Sequence, residues 1–130
     1  GSSLGGAVCL AAWKVLKPRR TVVVAAPCDS RSILEGAGVE ADPGTRELFS
    51  APHFQFDLAP ELPHVRHLLV VHGEADQVIP VAHARTIHRL AQAPKRLIVL
   101  PGGDHRLSRP DHRKTLLAEA AEWLADLLNN

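Results

Sequence analysis

Three short runs of consecutive apolar residues divide the chain, at 21–26, 68–71 and 97–100. None of them alternates apolar with polar positions. A strand that is apolar at every position is typical of a parallel sheet whose two faces are both covered. The runs therefore predict three buried strands.

Apolar residues with helical spacing lie between and after these runs. The three helical patterns cover residues 4–15, 81–91 and 116–127. Ser108 and Asp111 have the spacing of a capping box ahead of the last pattern. Alternating strands and helices predict an α/β fold in which right-handed crossovers connect parallel strands.

Residues 27–66 interrupt this alternation. The segment contains five prolines and all three phenylalanines of the chain, Phe49, Phe54 and Phe56. A segment of this length between two buried strands predicts either a crossover helix with long loops or a small cap over the sheet. The phenylalanines then either fix the segment to the sheet or line a pocket for an acyl group.

The composition excludes several classes of protein. The chain has 130 residues, 45% of them hydrophobic, which suits a single globular domain. Fifteen basic and 14 acidic side chains leave a net charge of +1, so neither a nucleic acid nor a membrane surface is an expected partner. No apolar run has a membrane-spanning length and no signal peptide is recognisable, which favours a cytoplasmic protein. The two cysteines, Cys9 and Cys28, match no disulfide framework or metal-binding motif, so no metal is expected.

The first segment with candidate chemistry is Gly1-Ser2-Ser3-Leu4-Gly5, which fits the pattern G-x-S-x-G with Ser3 at its centre. A nucleophilic serine in this pattern sits on a tight turn between a strand and a helix, where bulky neighbours would collide with the adjacent backbone. The helix that follows brings its positive N-terminal end close to a developing oxyanion.

Two further candidates follow the second and third apolar runs. Asp76 lies in the loop after the second run, where open α/β sheets meet their ligands, and Glu74 is the competing carboxylate. A purely structural role for Asp76, in ordering a turn or capping a helix, is the alternative. His105 follows the third run, and Gly102 and Gly103 give its loop the freedom to turn inward.

The order serine, carboxylate, histidine, with each residue just past a strand, resembles the α/β-hydrolase superfamily. The segments GSSLGG, HGEADQVIP and PGGDH carry the resemblance, which extends from residue 1 to about residue 128. It implies an α/β-hydrolase-type parallel sheet with flanking helices, and a serine hydrolase that forms an acyl-enzyme. In that mechanism His105 takes the proton of Ser3, Asp76 orients His105, and the N–H of Leu4 stabilises the oxyanion, without any cofactor.

The resemblance also implies a partner and leaves alternatives. Family members have several strands before the serine turn, whereas this sequence begins at its first glycine and contains no methionine. Residues 1–130 are therefore expected to be the C-terminal part of one hydrolase domain with a truncated sheet, and the N-terminal half is an expected partner. The expected substrate is a small ester or other acyl compound. A serine peptidase or an acyl-thioesterase uses the same triad, and a non-catalytic binding module or an inactive fragment is the further alternative.

Overall fold

The computed structural model describes residues 1–36 and 43–125. Within these residues a sheet of three parallel strands has the order β1 (Thr21–Val24), β2 (Leu68–Gly73) and β3 (Lys95–Leu100). Each predicted apolar run forms one strand. The predicted parallel α/β sheet is confirmed.

Helices connect and flank the strands. In the described part of the chain they are α1 (Leu4–Ala11), α2 (Trp13–Leu16), α3 (Arg31–Gly36), α4 (Pro43–Ser50), α5 (Ala82–Leu90) and α6 (Pro110–Ala125). The first predicted helix is thus two helices, which meet at Ala12. Leu127, which closes the last predicted pattern, lies outside the described residues.

The predicted capping box before α6 is wrong. The helix begins at Pro110, whose fixed φ suits a first helical turn. The backbone N–H and the hydroxyl of Ser108 instead donate to the carboxylate of Asp104, and Asp111 pairs with Arg109. Ser108 therefore closes the loop that carries His105 rather than starting the helix.

The central strand explains why the apolar runs are continuous. Every residue of β2 is buried, because helices cover both faces of the sheet. Val70 packs with Leu10 of α1 and Ile87 of α5 in one cluster, whereas Val71 packs with Trp123 of α6 in another. In β1, buried positions alternate with half-buried ones, whereas most residues of β3 are half-buried. The prediction that both faces are covered is therefore right for β2 and too strong for β1 and β3.

The segment at 27–66 contains α3, α4 and two 3₁₀ turns, at Pro52–Phe54 and Leu62–His64. Its residues 37–42 are outside the described part. Ile33 and Phe49 of this segment pack against Ile79, which follows β2. In residues 1–36 and 43–125, no helix has the length and apolar character needed to cross a membrane.

Candidate active site

Ser3 occupies a sharp turn between extended backbone and helix. Ser2 forms a parallel bridge with Val24 at the end of β1, and α1 begins at Leu4. Ser3 itself has φ 50° and ψ −126°, a conformation that costs a non-glycine residue about 1–3 kcal/mol. Its N–H donates to the carbonyl of Val24 at 2.7 Å, so the pairing with β1 holds this strained turn in place.

Two glycines, Gly1 and Gly6, are tightly packed at this turn. The motif G-x-S-x-G contains Gly1 and Gly5, so Gly6 lies outside it. A Cβ atom on Gly1 would lie 2.4 Å from the carbonyl oxygen of Gly5, and one on Gly6 would lie 2.7 Å from the Cβ of Ala26. A Cβ atom on Gly5 would meet nothing within 4 Å. The predicted need for small neighbours therefore holds at Gly1 and is wrong at Gly5; the close contact with the sheet falls on Gly6.

The imidazole of His105 lies between Ser3 and Asp76. Its Nδ1 is 2.8 Å from Oδ2 of Asp76, and its Nε2 is 3.1 Å from Oγ of Ser3. A carboxylate can only accept, so Nδ1 carries the proton and donates it to Asp76. The lone pair of Nε2 is then free to accept the hydroxyl proton of Ser3.

Asp76 is buried and fully hydrogen-bonded. Its Oδ1 accepts the N–H groups of Val78 at 2.9 Å and Ile79 at 2.8 Å, while Oδ2 faces His105. Burial alone would raise the pKa of this carboxyl, but the hydrogen bonds from His105, His72 and Ile79 outweigh burial and hold the pKa well below its usual value of 3.8. Asp76 therefore orders its turn and also faces the imidazole as an anion.

Glu74, the competing carboxylate, is exposed and points elsewhere. Its Oε2 accepts the N–H of Gly102 at 3.2 Å, at the edge of the loop that carries His105. The geometry pairs His105 with Asp76 rather than with Glu74.

Sequence reasoning missed His72, which is completely buried at the end of β2. Its Nε2–H donates to the carbonyl of Ile79 at 2.7 Å and lies 3.3 Å from Oδ2 of Asp76. His72 thus joins both ends of the turn that presents Asp76. The signal in the sequence was that His72 directly follows the apolar run at 68–71 and lies four residues before Asp76.

The loops that carry Asp76 and His105 touch through glycine backbone. A Cβ atom on Gly73 would lie 2.3 Å from the carbonyl oxygen of Gly103, and one on Gly103 would lie 2.9 Å from Cα of Gly73. Gly102 has φ +65° with open space around it. The predicted freedom of the loop applies to Gly102, whereas Gly103 permits close contact between the two loops.

The phenylalanines divide into two groups. Phe54 and Phe56 are half-buried and line a mostly apolar cavity of about 240 Å³ together with Leu4, the residue after Ser3. Phe49 is buried away from this cavity with Ile33 and Ile79, and its ring meets that of Phe54 edge to face at 5.5 Å.

Leu4 is the first residue of α1, so its N–H has no acceptor within the helix.

Parts of the chain are similar in sequence to known hydrolases. Residues 46–130 match the model of the prolyl oligopeptidase family, a range that includes Asp76 and His105. Over 62 residues the chain is 37% identical to a monoacylglycerol lipase of Mycolicibacterium smegmatis, covering 47% of this chain and 22% of that protein. A stretch of 38 residues is 53% identical to the uncharacterized protein YfhR of Escherichia coli, covering 29% of this chain and 13% of that protein.

Solved structures resemble the chain over nearly its whole length. The esterase domain of a Rhodothermus marinus protein superposes with a TM-score of 0.68 and 26% identity, over 93% of this chain and 57% of that chain. A hydrolase from Pseudomonas aeruginosa shares the fold at a TM-score of 0.67 and 20% identity, over 95% of this chain and 63% of that chain. The chain spans less than two thirds of the length of each of these relatives.

Proposed function

Because the chain belongs to the prolyl oligopeptidase family of α/β hydrolases, we propose that it is a serine hydrolase that cleaves a carboxylic ester through Ser3, His105 and Asp76. The observation that carries the proposal is the position of the His105 imidazole, 3.1 Å from Ser3 Oγ and 2.8 Å from Asp76 Oδ2. These contacts match the roles of nucleophile, general base and orienting carboxylate.

The proposed reaction proceeds through an acyl-enzyme. Oγ of Ser3 attacks the carbonyl carbon of the ester while its proton passes to Nε2 of His105. The anionic Asp76 stabilises the resulting imidazolium without taking the proton itself. The proton then moves from Nε2 to the departing alcohol. Water, activated by the same histidine, attacks the acyl-enzyme and releases the acid.

The oxyanion requires donors near Ser3. The N–H of Leu4 is the donor proposed from this chain, since it follows the nucleophile and begins α1. The second donor in this superfamily comes from a loop that precedes the serine turn. The N-terminal half is therefore the proposed partner of this chain in catalysis.

The cavity beside Leu4 supports a substrate with a small apolar acyl group. Phe54 and Phe56 give it apolar walls, and about 240 Å³ suits a short chain or a single ring better than a long lipid tail. Relatives named as an esterase and a monoacylglycerol lipase support an ester as the substrate. The family description favours a peptide amide instead, so a serine peptidase is the second candidate.

Labelling with a fluorophosphonate probe tests the proposal directly, because the probe bonds only to an activated serine. The full chain should be labelled at Ser3, with or without added N-terminal half. The Ser3→Ala variant should not be labelled, whereas Ser2→Ala, which changes the exposed neighbouring serine, should be labelled like the wild type. A folded chain that resists the probe in both conditions would instead be a binding module.

Substrate panels separate the two enzymatic candidates. We expect hydrolysis of short-chain p-nitrophenyl esters and no cleavage of matching peptide p-nitroanilides. Faster turnover of the anilides would replace the esterase with a peptidase while leaving the roles of Ser3, His105 and Asp76 unchanged.

A further inference from the structure

Cys28, Asp29 and His83 form a second cluster of polar side chains, beyond the carboxyl end of β1. Cys28 and Asp29 follow β1, and His83 lies in the first turn of α5. Sγ of Cys28 is 3.3 Å from Nδ1 of His83 and 3.5 Å from Oδ2 of Asp29. Each residue offers one ligand atom, and these atoms all lie within 4.8 Å of one another.

The cluster is buried at its base and open at one side. Cys28 is 7% exposed and His83 is 3% exposed, while Asp29 is half-buried. A cavity of about 420 Å³ opens onto all three and is also lined by Ser32, Pro80 and Thr86. An ion in the cluster would therefore have protein ligands on one side and room for water on the other.

We propose that Cys28, Asp29 and His83 bind a zinc ion, with water from the adjoining cavity as the fourth ligand. One sulfur, one nitrogen and one oxygen ligand form a set that is typical of tetrahedral Zn²⁺ and unsuited to Mg²⁺ or Ca²⁺, which prefer oxygen alone. This site is separate from Ser3 and His105, and it does not depend on the proposed hydrolase activity.

In the metal-free cluster the candidate ligand atoms hydrogen-bond to neighbouring groups. Oδ1 of Asp29 accepts the N–H of Ser32 at 2.6 Å and so fixes the carboxylate, while Oδ2 faces the thiol. Nδ1 of His83 accepts the N–H of Cys28 at 3.0 Å, so its lone pair points at the backbone of Cys28. Metal binding replaces this hydrogen bond to Nδ1 and displaces the hydroxyl of Ser32 from Oδ2.

Burial would raise the pKa of Asp29, but the hydrogen bonds from Ser32 outweigh burial and lower the pKa, so the negative charge of the metal-free cluster lies on this carboxylate. Burial, together with the nearby carboxylate of Asp29, raises the pKa of the Cys28 thiol to about 12. Burial also lowers the pKa of His83, which keeps the imidazole neutral and able to coordinate. When Zn²⁺ binds, the S–H bond of Cys28 breaks, a Zn–S bond forms and the proton goes to solvent; no electron is transferred.

A titration of the metal-free full chain with Zn²⁺, followed by isothermal calorimetry, tests the site. We expect the wild type to bind one zinc ion per chain, and the variants Cys28→Ala and His83→Gln to lose that ion. Cys9→Ala is the matched control, because it removes the other thiol and should bind like the wild type. Binding that persists in both Cys28→Ala and His83→Gln would assign the ion to other histidines and overturn the proposal.

A second measurement on the wild type guards against variants that fail to fold. The rate at which a maleimide alkylates each thiol is followed by mass spectrometry with and without Zn²⁺. We expect Zn²⁺ to slow the reaction of Cys28 at least tenfold while leaving Cys9 unaffected. Equal rates at Cys28 with and without saturating Zn²⁺ would refute the site.

Discussion

Nε2 of His72 lies 3.3 Å from Oδ2 of Asp76, and both side chains are completely shielded from solvent. The same Nε2–H donates to the carbonyl of Ile79, whose own N–H donates to Asp76. The turn of Asp76 therefore holds Oδ1, while His72 and His105 both contact Oδ2. This relationship makes His72 a positioning residue in the proposed mechanism.

The His72→Phe variant should show this role. Phenylalanine fills a similar volume but leaves the carbonyl of Ile79 without its donor, which costs about 1–3 kcal/mol of unfolding free energy. We also expect kcat to fall by up to about 100-fold with little change in KM, because the carboxylate shifts beneath His105. The control is His64→Phe, at an exposed position. A loss of stability with unchanged kcat would make His72 merely structural.

Asp76 and Glu74 provide a matched pair of carboxylates for steady-state kinetics. Asp76→Asn should lower kcat on a p-nitrophenyl ester by about 10⁴-fold, because an amide favours the wrong tautomer of His105. Glu74→Gln removes an exposed carboxylate that contacts only the N–H of Gly102 in the described residues, and it should keep wild-type kcat. The opposite pattern would mean that the wrong carboxylate has been assigned.

Acid should destabilise the wild type more steeply than Asp76→Asn. The folded-state pKa of Asp76 is depressed below 3.8, so its ionisation stabilises the fold above that pH, and the stabilisation is lost as pH falls towards the folded-state value. Urea unfolding at several pH values between about 2 and 5 should therefore give a smaller slope for the asparagine variant in this window. Identical slopes would show that Asp76 has an ordinary pKa in the folded protein.

Gly5 and Gly6 are adjacent in α1 and should respond oppositely to alanine. Gly6→Ala places a methyl group against the Cβ of Ala26, and we expect it to destabilise the protein by about 1–3 kcal/mol. Gly5→Ala meets open space in a helix and should be neutral or stabilising by up to about 1 kcal/mol. Thermal unfolding of the two variants measures both effects. Equal destabilisation would contradict the contact of Gly6 with the sheet.

The two groups of phenylalanines should separate specificity from stability. Phe54→Ala enlarges the cavity beside Leu4 and should shift the preference among p-nitrophenyl esters towards longer acyl chains. Phe49→Ala removes a buried ring away from this cavity, so it should lower the melting temperature and leave the preferred chain length unchanged. The ratio of kcat/KM for octanoate and acetate esters is the decisive measurement.

The three strands and the side chains of Ser3, Asp76 and His105 could be predicted from the sequence because their signals are local. Each strand is a short apolar run, and Ser3, Asp76 and His105 each follow the extended segment that presents them. Parallel strands bring their carboxyl ends to one edge of the sheet, and the order serine, carboxylate, histidine resembles the α/β-hydrolase superfamily. The grouping was therefore predictable without knowledge of side-chain packing.

Contacts between distant segments were not accessible in this way. The role of His72 depends on a carbonyl seven residues further along, and the contact between Cys28 and His83 spans 55 residues. The motif names Gly5, yet only packing against Ala26 shows that Gly6 is the constrained position. Spacing rules describe a single element, whereas these contacts depend on how two elements pack.

The backbone contact between Gly73 and Gly103 restricts how this scaffold can be engineered. The loops that carry the acid and the histidine have no space between them for a side chain, so neither can be lengthened or exchanged alone without moving the other. A chimera that borrows the Asp76 loop from a relative must take the His105 loop from the same parent. Loop libraries for new specificity are better directed at 53–56, where the chain lines the cavity beside Leu4.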